Sequence, residues 1–108
     1  MSQTGKTNQN AVRCILRKDK LNSGSVEGEL IVDKTFLDLN LGVNLAVLNT
    51  KGNLVASWGV EGREIDGKIH YYFSIQQEFI KSSMFSLFTK KHGMMELNLG
   101  TLPIQRNP

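Results

Sequence analysis

Two side chains in this sequence stand at a spacing that could do chemistry. His70 and Tyr72 lie two residues apart in a β-prone run, so on an extended strand they share one face. An imidazole titrates near neutral pH and a phenol donates a hydrogen bond, so the pair could hold a small ligand or move a proton. The same pair could simply cover a half-wet sheet face. The other reactive types do not converge. His92 falls in Lys90-Lys91-His92-Gly93, which reads as a solvated turn. Cys14 alternates in phase with Val12 and Leu16, a core position rather than one beside an activating base. Ser82, Ser83 and Ser86 lack the G-x-S-x-G pattern of a nucleophile elbow. No Cys-x-x-Cys, His-x-His or calcium-loop spacing occurs, so neither a metal nor another cofactor is expected. Gly5-Lys6-Thr7 has the ending of a phosphate-binding loop, but the loop's first glycine would fall before Met1 and no strand precedes it. A non-catalytic role is therefore the leading expectation, with a ligand or enzyme site near His70 and Tyr72 as an alternative.

Basic residues offer a third reading. Arg13, Arg17, Lys68, Lys90 and Lys91 could neutralise phosphates while Tyr72 stacks on a base and His70 assists, provided the strand carrying the two arginines lies beside the one carrying Lys68. The net charge of +3 is small for a nucleic-acid binder. Its distribution is uneven: residues 1–20 carry a net +4 and residues 25–40 a net −3.

The elements that must position these groups are strands. From Ala11 onward, short apolar and β-branched runs alternate with period two and are broken by Gly, Asn, Asp or Lys. Val12, Cys14 and Leu16 share a face opposite Arg13, Ile15 and Arg17. Val26, Leu30 and Val32 oppose Glu27, Glu29 and Asp33. Leu37, Leu39 and Leu41 prolong the alternation. Lys51-Gly52-Asn53 and Asp66-Gly67 each read as hairpin turns, the latter of the type that requires positive φ. Ile69, Tyr71, Phe73 and Ile75 form one apolar face, the mark of a central core strand. A short helical turn is expected over 77–82, a strand from Met84 to Thr89, a turn through Lys90 to Gly93, and a return strand carrying Met95, Leu97 and Leu99 inward.

About seven or eight short strands with so few helical segments predict an all-β fold, a small antiparallel β-sandwich, with Trp58 filling its middle. Residues 1–10 read as a disordered polar leader and residues 11–108 as a single β domain. No apolar run is long enough to span a bilayer and the first ten residues lack a signal peptide's apolar centre, so the chain is expected in the cytoplasm. Ile15, Ile31, Leu48 and Val55 fall at outward parity, more apolar surface than one half-buried sheet needs. They fit a second packed layer or a partner, so the expected function is protein–protein binding or self-assembly through a sheet face or edge. The partner is then a protein or a second copy, with nucleic acid as the alternative.

Overall fold

The computed structural model describes residues 12–17, 24–38, 41–101 and 104–107. Among these the chain forms strands β1 (Val12–Arg17), β2 (Ser25–Asp33), β3 (Val43–Leu48), β4 (Leu54–Val60), β5 (Gly62–Ile65), β6 (Lys68–Gln76), β7 (Met84–Thr89), β8 (Gly93–Asn98) and β9 (Ile104–Asn107), with a 3₁₀ segment over Gln77–Ser82. They make two sheets, ordered β5-β6-β2-β1-β9 and β4-β3-β7-β8. The ladders are antiparallel except β1–β9, which is parallel. This is the expected sandwich, with the 3₁₀ segment on the residues expected to turn and β9 beyond the last expected strand. The polar leader lies outside the described residues.

Alternation builds the core. Val12, Cys14 and Leu16 from β1, Leu30 and Val32 from β2, and Ile69, Tyr71, Phe73 and Ile75 from β6 face Val43, Leu45 and Val47 from β3 and Phe85 and Leu87 from β7. Phe73 and Phe85 bridge the two layers edge to face, their ring centroids 5.2 Å apart. Opposite Phe73 in the ladder stands Gly28, where a Cβ would come within 2.4 Å of the Phe73 ring. The missing side chain is what lets the ring lie against the β2 backbone.

Turn chemistry follows the residues as well. Asp66 and Gly67 both take positive φ, 53° and 80°, and close the β5–β6 hairpin. Ser82 and Ser83 extend the β3–β7 pairing past its last backbone rung. Ser82 Oγ donates to the Leu48 carbonyl at 2.6 Å, and the fully buried Ser83 Oγ accepts from the Leu48 N–H and donates to the Phe79 carbonyl. These two hydroxyls fasten the 3₁₀ segment to the end of β3.

Three expectations are corrected. Trp58 does not fill the middle of the core: it sits on β4 opposite Leu45 and is 38% exposed, because among the described residues no further strand packs beyond it in its sheet. Leu41 is exposed rather than inward, since the chain after β2 leaves the sheet through a turn at Lys34 to Leu37 instead of continuing as a strand, while Leu39 lies outside the described residues. The middle of the five-stranded sheet is β2, not β6. Gly28 through Val32 are buried on both faces, whereas β6 alternates buried with exposed because its outer face is wet.

Candidate functional site

The outer face of the five-stranded sheet gathers most of the polar candidates. The ladder registers set Arg63 of β5 opposite His70 of β6, His70 opposite Ile31 of β2, and Ile31 opposite Arg13 of β1. The next row carries Tyr72, Glu29 and Ile15, and the row before it Lys68 opposite Asp33. Arg17 ends β1 with its Cα opposite Glu27; its side chain lies outside the described residues. So β6 does bring Lys68, His70 and Tyr72 together, but β2 stands between them and the arginines of β1. The acids Glu27, Glu29 and Asp33 are interleaved with the bases. Lys90 and Lys91 are elsewhere, in the exposed β7–β8 turn of the other sheet, where His92 donates its backbone N–H to Thr89 Oγ1.

A short polar contact on this face joins His70 Nδ1 to Glu29 Oε2 at 2.8 Å. Glu29 is only 6% exposed although it lies on an outer face, and His70 is half-buried. A buried carboxylate is stable only with such partners. The pair resembles the base and orienting acid of a nucleophilic site, yet the one thiol, Cys14, is buried on the opposite face of the sheet, its pKa pushed up to about 12 by desolvation. Sequence reasoning took Glu29 for a solvated acid; the signal for its burial is the run Gly28–Val32, apolar on both parities around a single carboxylate. Arg63 was also missed, because strand pairing rather than spacing sets it beside His70.

A hollow of about 340 Å³ opens between β2 and β6, lined by Glu27, Gly28, Tyr72, Phe73 and Ser74. Tyr72, 49% exposed, forms part of its wall, and His70 does not. Another, of about 520 Å³, lies beside the 3₁₀ segment among Gly24, Gln77, Glu78 and Lys81. Among the described residues no group of three or more His, Cys, Asp or Glu comes together to hold a metal ion, and no helix is long and apolar enough to cross a membrane.

The other candidate is an edge. Among the described residues, the strands at the margins of the two sheets are β5, β9, β4 and β8. β5 contains Arg63 and Glu64, β9 contains Arg106 and β8 contains Glu96, whereas β4, seven residues reading LVASWGV, contains no charge and no proline. Leu54 is 64% and Val55 53% exposed, and Trp58 lies on the same strand. The β3–β4 register shifts at Val47/Leu48, so Val55 is the extra residue of a bulge and the ladder from Ala56 to Val60 is regular. Of the apolar residues expected outward, Val55 is exposed, Ile15 and Leu48 are half-buried, and Ile31 is buried.

No protein-family model, curated protein or solved structure matches the chain.

Proposed function

We propose that the chain is a non-catalytic β-sandwich module, operating in the cytoplasm, that acts by protein–protein contact through an edge strand, either with a foreign β-strand or with a second copy of itself. The observation that carries this reading is β4: uncharged and free of proline over seven residues, with Leu54, Val55 and Trp58 exposed. An exposed strand edge presents a row of backbone donors and acceptors, and charge, proline or a bulge keeps another strand away from it; β4 has only the bulge at Val55, which leaves Ala56–Val60 regular. The other three marginal strands each carry charge. Strand addition at such an edge draws affinity from main-chain hydrogen bonds and needs no convergent polar site.

The nucleic-acid reading has less support, because Glu27, Glu29 and Asp33 of β2 lie between the basic residues of β1 and β6 in the five-stranded sheet. A ligand site near His70 is supported by the Glu29–His70 pair alone, since the adjacent hollow is walled by Tyr72 without His70.

The test is a doubly blocked edge, Val55→Lys with Ser57→Lys, both at exposed positions where circular dichroism should report an unchanged fold. Light scattering and affinity capture are run on wild type and variant in parallel. The reading expects that assembly or partner recovery seen with the wild type is lost in the variant. If the two proteins behave alike in both measurements, β4 is not the contact element.

A further inference from the structure

We infer that the occupant of the β4 edge is the β4 strand of a second copy, paired antiparallel about a two-fold axis so that two four-stranded sheets become one continuous sheet. This rests on the reading of β4 as the contact element and goes further by naming the partner. A two-fold axis perpendicular to a strand pairs it with itself in the antiparallel sense. Whether a strand tolerates that arrangement depends on what it brings against its own copy, since like charges directly opposite one another are destabilising. β4 brings none: every residue from Leu54 to Val60 is uncharged. Self-pairing of β5 on Arg63 or on Glu64 would instead set that charge directly against its own copy, in a ladder of at most four residues.

The flanks of β4 add a directional preference. Lys51 lies in the turn just before the strand and Glu61 immediately follows it, and both are exposed. In the antiparallel arrangement the Lys51 end of each copy meets the Glu61 end of the other. A parallel arrangement would set Lys51 against Lys51 and Glu61 against Glu61. The flanking charges are therefore complementary only in the sense that a two-fold dimer uses. Setting Lys51 opposite Glu61 places the two-fold axis at Ala56, where the regular stretch Ala56–Val60 begins beside bulged Val55. An interface made from one short strand per copy is smaller than the roughly 1,200 Å² at the low end of stable complexes, so the association is weak and concentration-dependent.

Trp58 is the only tryptophan in the chain and lies on the pairing strand, so its emission reports the contact directly. Dilution of the wild type from millimolar to low micromolar should take light scattering from twice the monomer mass to the monomer mass, with a red shift of Trp58 emission over the same range. Val55→Lys with Ser57→Lys should be monomeric throughout, with monomer-like emission. Single-cysteine variants Val55→Cys, Ala56→Cys, Ser57→Cys and Gly59→Cys, oxidised at high concentration, should give a disulfide-linked dimer chiefly at the position on the axis. Wild type, whose Cys14 is buried, should give none. A wild type that stays monomeric at millimolar concentration and yields no cross-link in the scan overturns the second-copy assignment while leaving β4 to be judged by capture of a foreign partner. A dimer that survives both lysines overturns the assignment and the reading beneath it.

Discussion

At Gly28 the packing leaves no room for a methyl group. A Cβ there would lie 2.4 and 2.8 Å from Phe73 ring atoms and 2.9 Å from Leu16 Cδ2, and the ring is pinned from the other side by its contact with Phe85. Replacing a strand glycine with alanine ordinarily helps, because it narrows the unfolded ensemble. Here overpacking wins, and Gly28→Ala should cost about 1–3 kcal/mol, read as a lower denaturant midpoint. Cys14 makes the opposite kind of prediction. Its thiol, raised to about 12 by burial, stays protonated across the neutral range, so a thiol-specific reagent should label it only after unfolding in guanidinium. Rapid labelling of the native chain would show that β1 opens locally. The phase of Cys14 with Val12 and Leu16 made its burial legible in the sequence. Trp58 and Glu29 show where such reading stops. Strand parity says which way a side chain points, and Trp58 does stand on the core side opposite Leu45; exposure depends on what lies beyond it, and among the described residues β4 is the last strand of its sheet. Glu29 has outward parity but belongs to the central strand, where neighbours on both sides enclose the outer face too.

Among the elements, those whose cause is local could be read and those whose cause is distant could not. Asp66-Gly67 dictates its own hairpin, and the 3₁₀ segment falls on Gln77–Ser82 where apolar spacing leaves the period of two. Nothing local places β2 between β1 and β6, and that one fact of strand order puts acids among the bases of the outer face. The clasp between the 3₁₀ segment and β3 is another distant effect, joining Ser83 to Leu48 across 35 positions. Ser83→Ala would leave the Leu48 N–H and the Phe79 carbonyl without that hydroxyl in a site closed to solvent. The expected loss is about 1–3 kcal/mol, measured by chemical denaturation. The turn after β2 carries a pH signature. Asp33 Oδ1 accepts hydrogen bonds from the Thr35 N–H at 3.1 Å and the Thr35 hydroxyl at 2.9 Å, and these, with a smaller contribution from Lys68, lower its pKa. A depressed folded-state pKa means stability that is present above the ordinary carboxylate value of 3.8 and lost as pH falls through the folded value. Asp33→Ala should therefore shallow the loss of stability below about pH 4 while leaving its slope near neutrality unchanged; an unaltered acid limb in a pH series of melts would refute the assignment.

For the molecule as a whole, the two sheets differ in how their margins end, and that difference predicts how stability responds to concentration. If β4 pairs with a second copy, the native state is linked to association, and anything that binds the folded form alone raises apparent stability by mass action. Above the dimer dissociation constant the free monomer grows as the square root of total protein. Each tenfold rise in concentration then stabilises the native chain by about half of RT ln 10, roughly 0.7 kcal/mol, which for a domain of this size moves the melting temperature by about 3–5 °C. Below that constant the melting temperature should be flat. Val55→Lys with Ser57→Lys should lie on the flat branch at every concentration, and on dilution the two proteins should approach one another, because both positions are exposed in the monomer and the change removes only the exposed hydrogen bond from Asn44 Nδ2 to Ser57 Oγ. Gly28→Ala should behave differently, lowering the whole curve without changing its slope, since Gly28 lies in the five-stranded sheet and acts on the fold rather than on the edge. A wild-type melting temperature independent of concentration up to the millimolar range would detach stability from association and leave β4 with no second copy to meet.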